Sequence, residues 1–99
     1  MTLSDDRKAR IANLIPEYMV DGLVMYVEDG IPPGSFLLAV LQDSFVEAAA
    51  RADEINKHCF FQWADVLWNE LPGDCWGSPE KVRAWIAARA AEREKVEAL

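Results

Sequence analysis

Two short loops of this sequence combine residues that can bind an anion. Each has a glycine and a serine just before a predicted helix: Gly34–Ser35 in IPPGS, and Gly77–Ser78 in CWGSP. A helix start leaves backbone N–H groups free and carries a partial positive charge, so a phosphate can bind there. Trp76 adds an aromatic face for a nucleotide base. The alternative is ordinary helix capping, with Trp76 folded back onto the core. In either case we expect both glycines to adopt backbone conformations that alanine does not take easily.

Four further polar residues are candidates for such a site. Arg51 is the first basic residue after Arg10, so it is the natural counter-charge for an anion. Asn56 and Asn69 are poor helix formers inside a predicted helix, so each is expected either to bond a neighbouring loop or to line a pocket. The predicted ligand-binding residues are Tyr26, Gly34, Ser35, Arg51, Asn56, Asn69, Trp76, Gly77 and Ser78.

The sequence contains no recognisable catalytic pattern. It has no GxSxG, HExxH, Walker loop or dinucleotide fingerprint, and neighbouring acids on a helix point in different directions. His58 is the only histidine, and Cys59 and Cys75 form no CxxC pair, so no zinc motif is present. We therefore expect no catalytic residues, no metal, no other cofactor and no enzymatic activity. Without a secretory signal, reduced cysteines are the default.

Helical periodicity and capping residues predict the elements that hold these loops. Helices are expected from Ser4 to about Ile15, from Pro16 to Gly30, after a cap at Ser35, from Phe45 to about Leu71, and from Pro79 onward. No strand alternation is present. The pattern predicts an all-α fold: a compact bundle of four to five helices with one long central helix. We expect a single domain over 1–99, with a less certain N-terminal helix over 1–15 and a fraying tail over 92–99.

Charge excludes several classes of partner. The chain has 17 acidic and 10 basic residues, a net charge of −7, and no Lys or Arg between Ile11 and Ala50. We therefore expect no direct nucleic-acid binding and no attraction to anionic lipid. No apolar run is long enough for a membrane helix, and a cytoplasmic location is expected. The acidic stretch is either a solvated face or a surface that meets a basic partner or imitates a phosphate backbone.

The segment from Cys59 to Trp68 is unusually apolar, with eight such residues in ten. Trp63 and Trp68 lie about 140° apart around a helix, so one narrow stripe cannot bury both. A helix that is apolar on nearly all sides must be covered on more than one of them. We therefore expect a homo-oligomer with Phe60, Phe61 or Trp68 at its contact.

Several segments of the sequence match a pattern in order: YxxxGxxPG[SG]FLxAVL, RADxxN, NExP and WGS. The corresponding positions are Tyr26, Gly30, 33–37, 39–41, 51–53, Asn56, 69–70, Pro72 and 76–78. In this the chain resembles a family of small helical proteins of phages and prophages without an established activity. The resemblance implies a non-enzymatic accessory protein in the host cytosol, most simply one that counters host defence by sequestering a small anionic, nucleotide-like signal. The alternatives are a protein-binding inhibitor of a host defence complex, comparable to an anti-CRISPR protein, or a structural or regulatory helical module.

Overall fold

The computed structural model describes residues 1–97, and within them every regular element is helical, as predicted. There are seven α-helices, and one 3-10 turn at Gly73–Cys75 precedes the last of them. The helices are α1 Asp5–Leu14, α2 Glu17–Asp29, α3 Ser35–Leu41, α4 Phe45–Arg51, α5 Glu54–His58, α6 Phe60–Glu70 and α7 Pro79–Glu97. One contiguous core of buried apolar side chains draws on every helix except α5.

The predicted long central helix is instead three helices, so the expected count of four to five helices is also wrong within residues 1–97. The first break lies at Ala52, whose backbone is extended, and at Asp53, whose side chain accepts a hydrogen bond from the Asn56 N–H at 2.8 Å. Aspartate competes for nearby backbone groups in this way, which ends one helix and starts another. A second break at Cys59 separates α5 from α6. As a result Phe45 and Ile55, which an unbroken helix would place on the same apolar side as Trp63, are 61% and 57% exposed.

Capping residues at other helix ends act as their types predict. Ser4 accepts from the Arg7 N–H at 3.2 Å, and Ser78 accepts from the Lys81 N–H at 3.1 Å. Gly30 ends α2 in the left-handed conformation, with φ +68°. Ser35 differs from the prediction: Gly34 is the capping position of α3, and Ser35 is already the first helical residue. The last helix continues to Glu97, so fraying over 92–99 stays a prediction, and residues 98 and 99 lie outside the described residues.

The N-terminal helix is fastened to the end of α6 by a buried carboxylate. Glu70 is 7% exposed, and Arg10 Nε donates to both of its carboxylate oxygens at 3.0 Å. Arg7 Nη1 donates to the Glu70 carbonyl at 2.9 Å. Ile11 and Ile15 are buried in the core, so the ion pair accompanies apolar packing. Glu70 therefore joins the end of α6 to α1, which lies about sixty residues earlier in the chain.

We expect Glu70→Gln to lower the free energy of unfolding by about 1–3 kcal/mol, because it removes the charged acceptor of a hydrogen-bonded pair at a buried position. Urea denaturation followed by circular dichroism measures this loss. Glu54→Gln is the matched control, since Glu54 is exposed and pairs with Lys57 at only 3.6 Å. Equal losses in the two variants would contradict the fastening role of Glu70.

Candidate functional site

Tyr26, one of the predicted ligand-binding residues, is part of the core. Its side chain is fully buried, and its hydroxyl donates to the Cys75 carbonyl at 2.7 Å. This bond joins α2 to the 3-10 turn. Burial raises the pKa of the Tyr26 hydroxyl well above its usual value, and burial also raises the pKa of the Cys75 thiol to about 12. Both groups are therefore uncharged near neutral pH, and both side chains lie inside the core.

Asn56 is also buried, and it is the centre of a polar network. Trp63 Nε1 donates to its side-chain oxygen at 3.0 Å. Its side-chain nitrogen donates to Asp53 Oδ1 at 3.0 Å and to the Tyr18 hydroxyl at 3.3 Å. Of the two roles that the sequence left open for Asn56, the structure shows hydrogen bonding to its surroundings. Asn69, in contrast, is exposed on α6, and its side chain makes no hydrogen bond among residues 1–97.

The outer edge of this network pairs Tyr18 with Asp53. The Tyr18 hydroxyl donates to Asp53 Oδ2. This hydrogen bond raises the pKa of Tyr18 to about 12 and, together with the Asn56 N–H, lowers the pKa of Asp53. A carboxyl whose pKa is lowered by folding stabilises the fold above its unfolded pKa, and the contribution disappears as pH falls through the folded pKa.

We therefore expect the stability difference between the wild type and Asp53→Asn to be largest near neutral pH and to shrink as the solution is acidified below pH ~4. Urea unfolding at a series of pH values measures it. A difference that stays constant down to the acid limit of folding would show that the charge of Asp53 is not the cause.

The two Gly–Ser loops are built differently. Gly77 has φ +123°, a conformation that favours glycine, and its N–H donates to the Leu41 carbonyl at 2.8 Å. Gly34 has φ −67° and open space where a Cβ would lie, so the prediction of a conformation that alanine avoids is wrong for Gly34. Gly77 does adopt such a conformation. Trp76 is half-buried and packs against the core, which is the alternative to a ligand-binding role. Its ring also lies edge-on to Trp68, with ring centroids 6.4 Å apart.

Three of the predicted ligand-binding residues line cavities together: Ser35 shares one of ≈ 380 Å³ with Gly34 and a smaller one with Arg51. Ser35 and Arg51 line a shallow pocket of ≈ 120 Å³ with Glu47, and Arg51 is already paired with Glu47 at 3.0 Å. Ser78 caps α7, and neither Trp76 nor Gly77 lines this pocket. The structure therefore does not gather the nine predicted residues into one site.

A different concave surface is formed mainly by apolar side chains. We call it the aromatic groove: a cavity of ≈ 220 Å³ whose walls are the end of α3 with α4 on one side and α6 on the other. Ala39, Val40 and Trp63 form its floor, and Phe60 lies between Phe45 and Phe61, with ring centroids at 5.5 and 6.1 Å. Exposed phenylalanines at the mouth of an apolar cavity are uncommon on a monomer without a binding role.

Two of the three residues predicted at an oligomer contact are exposed, and one of these two, Phe61, lines the groove. Phe61 is 78% exposed and Trp68 is 79% exposed, whereas Phe60 is half-buried. Trp68 follows Phe61 by seven residues, about two helical turns, so the two rings lie on the same side of α6. Phe45 and Val46, at 61% and 77%, extend the exposed apolar surface onto α4. The exposure of Phe45 and Val46 was not predicted, because the helical spacing of apolar residues does not reveal the break at Ala52.

The walls of the aromatic groove carry an acidic excess. Asp43 lines the groove, and Asp65 is exposed on α6, one turn beyond Phe61. No Lys or Arg occurs in residues 36–50 or 58–80, and Arg51, at the end of α4, is held by Glu47. The apolar lining is thus bordered by negative charge without a nearby free base on these walls.

No helix between residues 1 and 97 is both long and apolar enough to cross a lipid bilayer. The same residues contain no group of three or more histidine, cysteine, aspartate or glutamate side chains placed to hold a metal ion. No protein-family model, curated protein or solved structure matches the chain.

Proposed function

We propose that this protein is a non-enzymatic interaction module and that the aromatic groove is its binding surface for another protein. The observation that carries the proposal is the position of Phe45 and Phe61, which border an apolar cavity of ≈ 220 Å³ while staying 61% and 78% exposed. Aromatic side chains dominate the energetics of protein interfaces, and leaving them in water costs free energy that a partner recovers.

The resemblance to small phage proteins supports a host protein as the partner. A protein of this kind acts by occupying a surface of a host defence complex, and this needs no catalytic group. The acidic residues near the groove support the alternative of binding to a host protein. In this proposal the partner contacts apolar and acidic side chains together, and the acidic residues do not imitate a phosphate backbone.

A display library of short helical peptides tests the proposal. Selection on the wild type, with counter-selection on Phe61→Glu, is expected to enrich peptides whose affinity falls at least about tenfold for Phe61→Glu, since removing a central aromatic contact costs more than ~1.4 kcal/mol. Val96→Glu is the matched control, because Val96 is 69% exposed and lies on α7, outside the groove. A library that yields no Phe61-dependent binder contradicts the proposal.

A small anionic ligand is the second candidate, supported by the pocket that Ser35 and Arg51 share. A thermal-shift screen with linear and cyclic nucleotides tests it. A ligand at 100 times its dissociation constant stabilises the fold by about 2.7 kcal/mol, which is easily detected. Arg51→Gln would remove the shift if the pocket is the site, and a shift that survives this substitution would assign the ligand elsewhere.

A second copy of the chain is a third possible occupant of the aromatic groove, as the expected homo-oligomer implies. Light scattering over a range of micromolar concentrations decides it. A mass of two chains that returns to one in Phe61→Glu supports self-association through this surface. A mass of one chain at every concentration leaves the groove free for a different protein.

A further inference from the structure

Resting on the proposed function, we propose that the partner of the aromatic groove is an amphipathic helix whose apolar stripe is flanked by lysine and arginine. Three features of the surface favour this occupant: an apolar cavity, the exposed Phe61 ring at its mouth with the exposed Trp68 ring two turns further along α6, and acidic side chains close by.

The shape of the surface favours a helix over an extended peptide. The walls are helices whose backbone N–H and C=O groups are bonded internally, so there is no sheet edge on which a strand could be added. Phe61 and Trp68 are exposed about 10 Å apart along the axis of α6. An apolar stripe that repeats at i, i+3, i+4 and i+7 presents side chains with the same spacing, and it satisfies its own backbone hydrogen bonds.

The charge of the surface selects the sign of the flanking residues. Asp43 lines the groove, Asp65 is exposed on α6 directly after the lining residue Ala64, and no ion pair holds either aspartate among residues 1–97. Arg51 is paired with Glu47, so no free cation on these walls offsets the two aspartates. A partner with Lys or Arg beside its apolar stripe gains attraction at both borders, and this attraction also speeds association.

The same charges disfavour a second copy as the occupant. Each chain carries a net charge of −7. A twofold contact brings one surface against itself, so the two border aspartates of one copy would approach those of the other. Like charges set against each other at an interface weaken it, whereas a basic partner meets no such repulsion.

Two labelled helical peptides of about 18 residues, with an identical leucine and phenylalanine stripe, test the inference. One carries lysine on its polar face and the other carries glutamate. Fluorescence anisotropy is expected to show binding of the lysine peptide only, with a dissociation constant that rises with salt. Phe61→Ala should abolish the binding. Asp43→Asn with Asp65→Asn should weaken it roughly tenfold and reduce the salt dependence.

Non-specific attraction to an acidic protein is separated by two controls. Asp21→Asn with Glu94→Gln removes two charges from α2 and α7, outside the groove, and should leave the affinity unchanged. A lysine peptide with a scrambled stripe should not bind. Asn is also tolerated at position 43, whose φ is +61°, so the charge is removed without backbone strain.

The possible failures are distinguishable. Equal binding of the glutamate peptide would overturn the inferred charge of the partner but keep the groove as a protein-binding surface. No peptide binding together with a Phe61-dependent dimer would assign the groove to a second copy, and this would overturn the inference and the proposal of a different protein as partner. No peptide binding with a monomer at every concentration and no Phe61-dependent binder from the display library would overturn both the inference and the proposed function.

Discussion

Replacing Gly30 by alanine is expected to lower the free energy of unfolding by about 2–4 kcal/mol, enough to unfold a marginally stable small domain. Gly30 ends α2 with φ +68°, where an L side chain is strained. An added Cβ would also collide with the Cβ of Arg89 and lie 3.1 Å from the Ile86 carbonyl oxygen. Both obstacles belong to α7, so relief requires α7 to move away from α2.

Urea unfolding monitored by circular dichroism measures this effect, and Gly34→Ala is its control. Gly34 has negative φ, and nothing lies within 4 Å of a Cβ there. We expect the control to change the free energy of unfolding by no more than about 0.5 kcal/mol. If the two variants lose the same stability, then close packing of α7 against Gly30 is not the reason that glycine is required at position 30.

Replacing Asn56 by alanine is expected to cost about 2–4 kcal/mol. The substitution removes the acceptor of the Trp63 indole N–H and a donor to Asp53, and Trp63 is 2% exposed, so water cannot replace the lost partner without opening the core. The loss includes the cavity left by the amide, because Asn56 itself is 2% exposed.

Asn69→Ala is the matched comparison, since both asparagines lie in the same predicted helix and differ only in what surrounds them. Asn69 is exposed, so we expect a change of at most about 0.5 kcal/mol, in either direction. Thermal and urea unfolding of the two variants side by side measure the contrast. Similar losses at both positions would mean that the Asn56 network contributes little to the fold.

Helix ends could be predicted from the sequence where a residue type has one main structural role, that of a cap. Ser4, Gly30 and Ser78 are helix caps in the structure because serine and glycine satisfy helix ends within a few residues. The lack of strands within residues 1–97 was also predicted, because the helical spacing of apolar residues repeats over many positions.

The break at Ala52–Asp53 was not predictable in this way. Residues 45–70 keep a helical spacing of apolar types, and a spacing does not report whether a backbone is interrupted. Asp53 is equally suited to an exposed helix position and to a cap, and the choice depends on Tyr18 and Asn56, which reach it from outside its own turn. The same interruption turned Phe45 outward, so the aromatic groove depends on a feature that a single sequence conceals.

The structure does not bring the predicted ligand-binding residues together, for a related reason. Tyr26, Asn56 and Trp76 are polar or aromatic residues of the kind that line binding sites, but three-dimensional neighbours decide whether such groups face a ligand or each other. Tyr26 meets the Cys75 carbonyl and Asn56 meets Trp63, which lie far from them or beyond a helix break. Phe61 and Trp68 are exposed, as the apolar surplus of residues 59–68 indicated, and their role at an oligomer contact stays a prediction.

The order in which the chain is synthesised gives the α2–α7 contact a consequence for folding. Trp85 Nε1 donates to the Val27 carbonyl at 3.1 Å, and the Tyr26 hydroxyl reaches the Cys75 carbonyl, so α2 is held by residues that emerge about fifty or more positions later. The residues that form the aromatic groove lie between 39 and 64 and leave the ribosome earlier. The walls of the groove are close together in the sequence, so their contacts can form before the long-range contacts of α2 that complete the core.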